Sequence, residues 1–294
     1  MTIDEELQEV FASVGARGSI HVRELGGELR EVGHADDEPV VLASVFKIPV
    51  AIAFEREVSL GRIDPSERTV VTERFRTGGV GTAGFCDDAE VSWRDLAHLM
   101  LTLSDNAATD VIYHRIGAAA IAAVLADLAL RDTRIVGCCE DLLAGMGHEL
   151  GVDWRSAEFA ATMSALPASR LRALAALDPQ RTSSSTAQEM ASVVAAIWND
   201  TAAPPAACAR IRSTMSQQVW PHRLTSGFGA GVRVGAKTGT LPGIRNEVGV
   251  VTYPDGTRYA VAVFTTADSL DLQLPDVDRS IGRAARIAID HLRT

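Results

Sequence analysis

Residues 233–264 read Arg233-Val-Gly-Ala-Lys237-Thr-Gly-Thr-Leu-Pro-Gly-Ile-Arg-Asn-Glu247-Val-Gly-Val-Val-Thr-Tyr253-Pro-Asp-Gly-Thr-Arg258-Tyr-Ala-Val-Ala-Val-Phe264. Three β-favouring runs, 233–237, 247–253 and 258–264, stand in series. The last two are parted by Pro254-Asp255-Gly256, where proline presets φ, aspartate caps its own turn and glycine accepts a positive φ. Near the other end, Gly18-Ser-Ile-His-Val-Arg23 and Glu28-Leu-Arg-Glu-Val32 flank Gly26-Gly27 as a β-hairpin. From about Gly61 to Gln218 the pattern is helical with almost no strand. Ser92 caps a helix to Leu103, others cover Asn106 to Arg115 and Ala118 to Leu130, and Thr186 with Glu189 forms a capping box for a helix ending near Asn199. Helices are also expected at Glu5–Val14, Ser44–Leu60 and Asp276–Leu292. Pro49 removes a backbone donor and predicts a bend or a late start in the second of these.

Strands at both ends around a helical middle pack most economically as one sheet covered by helices, with the middle as a separate lobe. The expected division is 1–60 with 219–294 for the sheet lobe and 61–218 for the helical lobe, and the cleft between them is the expected site. The Gly78–Gly84 run lacks a Gly-Lys-Ser/Thr ending and a preceding strand, so it reads as a loop at the cleft rim rather than a phosphate cradle.

The 294 residues are 47% hydrophobic with a formal net charge of −10. That apolar fraction supports a packed core, and the acidity argues against a nucleic-acid partner. Cys86, Cys138, Cys139 and Cys208 show neither disulfide-framework nor zinc spacing, which suits a reduced compartment. An acidic start without an apolar run, and no stretch long enough to span a bilayer, give the expectation of a soluble cytoplasmic protein with no membrane partner, and a monomer is expected as well. His98, His114 and His148 read as structural or surface residues, because His148-Glu149 has no second histidine at i+4.

Three short motifs carry chemistry. Ser44-Val45-Phe46-Lys47 sets a hydroxyl and an amine one helical turn apart at a helix start, where free N–H groups stabilise an oxyanion and a desolvated lysine can act as base. Ser104-Asp105-Asn106 lies between two helices, with Asp105 as orienter of the loop. Lys237-Thr238-Gly239-Thr240 ends a strand. Taken singly, each also reads as an ordinary helix cap or a polar strand end.

As a set in this order, the motifs resemble the penicillin-recognising serine enzymes, in particular the class A β-lactamases. The resemblance runs from about Gly18 to the end. It implies an α/β (α+β) fold of the β-lactamase/transpeptidase type: a five-stranded antiparallel sheet with flanking helices plus the inserted all-helical lobe. It implies catalytic Ser44, Lys47, Ser104 and Glu140, and substrate-binding Asn106, Lys237, Thr238, Thr240 and Arg245, with Arg223 as the other basic candidate. Glu140 is taken as the water-activating glutamate of an Ω-shaped loop, with Asp141 and Glu149 as rivals. Where the family has an asparagine four residues on, this chain has Ala144.

The activity expected is hydrolysis of a β-lactam or related cyclic amide, a small-molecule substrate, through acyl-Ser44, with no metal or organic cofactor. The alternatives are a cytoplasmic serine esterase or amidase of secondary metabolism, and a protein that binds β-lactams without turnover.

Overall fold

The computed structural model describes residues 1–27 and 29–294. The strands are β1 (Ala16–Leu25), β2 (Glu31–His34), β3 (Val40–Val41), β4 (Arg68–Val71), β5 (Ala89–Ser92), β6 (Ser184–Ser185), β7 (Arg233–Leu241), β8 (Ile244–Thr252) and β9 (Arg258–Ala267). The helices are α1 (Ile3–Ala12), α2 (Lys47–Ser59), α3 (Trp93–Thr102), α4 (Asn106–Asp127), α5 (Cys139–Leu150), α6 (Ala157–Ala165), α7 (Ala168–Arg172), α8 (Ala187–Trp198), α9 (Pro205–Met215) and α10 (Pro275–Arg293).

The main sheet is antiparallel throughout, in the order β2-β1-β9-β8-β7. The β1–β2 hairpin forms as expected, although Glu28, the first residue of the expected second strand, lies outside the described residues. Strand alternation sends Tyr259, Val261 and Val263 to the core under α1 and α10, and Ala260, Ala262 and Phe264 to the core beneath α8. Both faces of the sheet are therefore covered. The middle of the chain is not wholly free of strand, since β4 pairs with β5 and β3 with β6 in two short ladders.

The packing cuts across the boundaries expected at residues 60 and 218. Helix α2 comes from the first 60 residues but lies among α3, α4 and α9, while α8 comes from the middle and covers β1, β8 and β9. The physical reason is that α2 has apolar residues on every side from Ile48 to Phe54, and Lys47 to Glu55 are buried without interruption. Pro49 falls in the first turn of α2, where its missing N–H has no partner to lose, and a 3₁₀ turn at Ala43–Phe46 precedes it. Thr186 caps α8 by accepting from Glu189 N, but the Glu189 carboxylate accepts from Arg131 N, Asp132 N and Thr133 Oγ1, so the capping box is half made.

The two helices expected at 106–115 and 118–130 both form, on either side of a break at Gly117 (φ 78°, ψ 157°), and are numbered together as α4. Taken across that break, α4 is long and apolar enough to pass for a membrane span, but neither helical half is. Its residues Ala107 to Ile112, with Ile121 and Val124, are buried in the protein core.

Candidate active site

The 3₁₀ turn carrying Ser44 is held against the end of the sheet. Asn246 on β8 donates from Nδ2 to Val41 O (2.8 Å) and Leu42 O (3.3 Å), and a Cβ at Gly239 on β7 would stand 2.7 Å from Leu42 O. Only glycine lets the strand come that close. The approach brings the backbone after Gly239 alongside Ser44, so the Ser44 and Thr240 N–H groups are candidates for an oxyanion pair. Asn246 was not singled out from the sequence. The available signal was the polar triplet Arg245-Asn246-Glu247 at the start of an otherwise apolar strand.

Lys47, one helical turn after Ser44, is fully buried. Its Nζ donates to Ser104 O (2.7 Å), Ser104 Oγ (3.3 Å) and Asn106 Oδ1 (2.8 Å). Burial pulls its pKa below the ordinary lysine value, against the opposing fields of Cys139, Asp110 and Asp105. Ser104 sits at φ 66°, a conformation that turns its carbonyl and hydroxyl together toward the amine.

Asp105 is the orienter expected. It caps α4 through Ala108 N (3.1 Å) and binds the rim loop through Thr82 N (2.6 Å), Thr82 Oγ1 (2.8 Å) and Ala83 N (3.3 Å). Asp105→Ala strands these buried donors and should lower unfolding free energy by about 3 kcal/mol in chemical denaturation.

Lys237 is also fully buried, with Nζ donating to Thr238 O (2.8 Å). Its pKa falls well below the ordinary value through burial first, then through Lys47 and Arg223. Behind it, Glu247 accepts from Gln218 Nε2 and Leu224 N (both 2.5 Å), and Gln218 Oε1 accepts from Thr238 N (2.9 Å). Burial raises the Glu247 carboxyl to about 6.

Of the two arginines, Arg223 is bound to the motif itself. It donates to Thr240 Oγ1 (2.8 Å), Gly239 O and Asn246 O (both 2.9 Å), and pairs with Asp278 (2.7 Å). Arg245 lies opposite Thr240 in the β7–β8 register, but its guanidinium donates to the carbonyls of Leu241, Ile244, Asp271 and Leu272. Both line the cleft, yet Arg223 is the one that reaches the threonine hydroxyl.

Ser44, Lys47, Ser104, Asn106, Lys237, Thr238 and Thr240 are thus gathered where α2, α4 and β7 meet, in the order of the three motifs. Residues 2–292 match the family model described as "Beta-lactamase enzyme family". The chain belongs to the β-lactamase enzyme family. A protein of Streptomyces cacaoi named β-lactamase regulatory protein BlaB is 29% identical over 98% of this chain and 96% of its own length. A β-lactamase structure from Sphaerobacter thermophilus is 26% identical, covers 98% of this chain and 95% of its own, and superposes with a TM-score of 0.76. An ancestral class A β-lactamase, 22% identical with 99% and 100% covered, shares the fold at a TM-score of 0.77.

Within this β-lactamase fold, Glu140 does not face Ser44. Its carboxylate accepts from Arg155 (2.6 Å), with His114 at 3.7 Å and Arg74 at 3.9 Å, on the outer side of α5. Cys139 takes the inner position. Its Sγ lies 3.4 Å from Asn106 Oδ1, and burial pushes its thiol up to about 12 against the lowering field of Lys47.

Asp110 on α4 sets that phase by accepting from Cys139 N (2.7 Å) and Glu140 N (2.9 Å). The rivals are occupied too, Asp141 by Cys138 N (2.9 Å) and Glu149 by Ala175 N (3.0 Å). Nor is the segment a short Ω-shaped loop. The Arg134–Ser184 bridge closes a long excursion containing α5, α6 and α7, with its own apolar cluster around Met146, Leu174 and Ala176. No group of three or more metal-ligating side chains occurs among the described residues.

Proposed function

We propose that this protein is acylated at Ser44 by a β-lactam or related cyclic amide and retains the acyl group instead of hydrolysing it quickly. The observation that carries this reading is Cys139, a protonated thiol standing beside Asn106 and Lys47 where a water-activating carboxylate is needed.

Acylation itself has its parts. Neutral Lys47 takes the Ser44 proton as Oγ attacks the carbonyl carbon, and the oxyanion forms between the Ser44 and Thr240 N–H groups. As the C–N bond breaks, the proton returns from Lys47 through Ser104 Oγ to the leaving nitrogen. Asn106 Nδ2 orients the substrate amide, while Lys237, Thr238 and Thr240, backed by Arg223, receive its carboxylate.

Deacylation has no comparable base. The Streptomyces relative is named a regulatory protein, and a regulator that must report a ligand gains from holding it. Hydrolytic turnover is the second reading, favoured by the family and by the Sphaerobacter β-lactamase. Intact-mass spectrometry after penicillin addition separates the two. An adduct of one penicillin persisting for hours supports retention, and return to the free mass within minutes overturns it.

A further inference from the structure

Glu247 on β8 is fully buried and takes no part in the acylation steps above. Its Oε1 accepts from Gln218 Nε2 and its Oε2 from Leu224 N, both at 2.5 Å. One carboxylate thus ties down both ends of the segment 218–224. That segment supplies Trp220, His222 and Arg223 to the wall of an open cleft of about 710 Å³, which also holds Ser44, Thr238 and Thr240.

The two anchors act on β7 at two points. β7 is the edge of the main sheet, so every second residue turns its N–H and C=O away from β8. At Thr238, opposite Glu247 in the register, Gln218 Oε1 accepts from the N–H (2.9 Å) and Lys237 Nζ donates to the carbonyl (2.8 Å). At the other anchor, Leu224 follows Arg223, whose guanidinium donates to Gly239 O and Asn246 O (both 2.9 Å) and to Thr240 Oγ1 (2.8 Å).

Only an ionised carboxyl can make both anchors. Each oxygen meets an N–H, and a proton on either would set a donor against a donor. Burial raises the group to about 6, against the hydrogen bonds of Leu224 and Gln218 and the fields of Arg223 and Lys237. Val263, facing it from β9, is apolar, and Asp278 of α10 is paired with Arg223. His222, whose own pKa burial lowers, is the other titratable group of the segment.

Resting on the acylation reading above, we infer that Glu247 is the positioning residue of the cleft wall: its ionised form fixes Arg223 and the Thr238 edge to capture an anionic ligand, and its protonation releases them. Capture of the anion is then complete at neutral pH and is lost as pH falls through the Glu247 titration.

Benzylpenicillin and its methyl ester carry the same reactive ring with and without the carboxylate. The ratio of their second-order rates of Ser44 labelling, read by mass spectrometry on the full chain, cancels the pH dependence of Lys47 itself. It should fall about tenfold from about pH 8 to about pH 5, as for loss of one hydrogen bond to a charged group, with its midpoint at about 6. Glu247→Gln should show the low ratio at every pH. Gln218→Ala, which frees one anchor and leaves the carboxylate, should lower the ratio and keep the acid limb. His222→Asn should keep that limb too.

Affinities of meta-carboxyphenylboronic acid and phenylboronic acid, which bind a serine oxygen reversibly, give the same ratio without acylation. If penicillin labels Ser44 but both ratios are flat with pH, the role of Glu247 falls while the acylation reading stands. If no penicillin labels the protein but the boronate ratio drops with acid, the acylation reading falls and the positioning role stands. An acid limb that survives Glu247→Gln, or vanishes in His222→Asn, overturns the assignment to Glu247.

Discussion

Penicillin is expected to leave no adduct on a Ser44→Ala protein, and to acylate a Lys47→Arg protein at least ~10²-fold more slowly than the parent chain, as befits loss of a positioned general base. The reason lies in the two demands on Lys47. Its three N–H donors are matched by Ser104 O, Ser104 Oγ and Asn106 Oδ1, which hold the ammonium in place at rest. Burial works the other way and makes the neutral amine accessible below the ordinary value of 10.5. Arginine preserves the charge but does not give up a proton in a protein, so it keeps the resting field and loses the base.

The pH dependence follows with a definite sign. Neutral Lys47 is the active form, and a lowered pKa means that form appears at lower pH than for a free lysine. Acylation should therefore accelerate with rising pH and level off with a midpoint below 10.5, while the residual rate of Lys47→Arg stays flat over the same range. Stopped-flow or quenched mass measurements across that range provide the check. A midpoint at or above 10.5, or parallel pH profiles in the two proteins, would remove Lys47 from the role of base.

The parts of the site that were legible in the sequence are those whose geometry is local. Ser44 and Lys47 are three residues apart, Ser104 and Asn106 flank a helix cap, and Lys237 to Thr240 lie on one strand. Each spacing alone also fits a helix cap or a strand end, and it is the order of the three motifs, as the family resemblance reads it, that assigns them to one site. Individual strands were legible through alternation and through the turns at Gly26-Gly27 and Pro254-Asp255-Gly256, while the five-stranded antiparallel sheet came with the resemblance.

What was not legible depends on distant partners. Glu140 and Cys139 are adjacent in sequence, and successive residues of a helix project about 100° apart. Which of them faces Ser44 is set by Asp110, which grips their two N–H groups from another helix. Arg223 and Arg245 show the same limit. Arg245 has the register opposite Thr240, but the path of residues 271–272 absorbs its guanidinium, while Arg223 arrives from outside the strand and reaches Thr240 Oγ1. The location of α8 on the sheet was likewise hidden, since a mostly buried helix suits either lobe.

That one-residue phase also indicates how to change the reaction. Cys139→Glu should shorten the lifetime of the penicillin adduct by ~10²-fold or more, the usual return from a positioned general base. The substituted carboxylate replaces a thiol 3.4 Å from Asn106 Oδ1 and within the field of Lys47 and Lys237. Those two cations favour its ionised form, whereas Asp110 and burial oppose it. The cavity beside it opens onto Ser44 and leaves room for the water that must reach the ester. The carboxylate takes a proton from that water as its oxygen adds to the acyl carbon, and when the acyl C–Oγ bond breaks the proton passes on to Ser44 Oγ, which frees Ser44 and releases the acid. Cys139→Gln is the matched control, with similar bulk and no basic oxygen, and should leave the adduct as long-lived as in the parent chain. Equal acceleration in both variants would mean that the thiol protects the ester by excluding water. No acceleration in Cys139→Glu would show that the missing base is not what holds the acyl group.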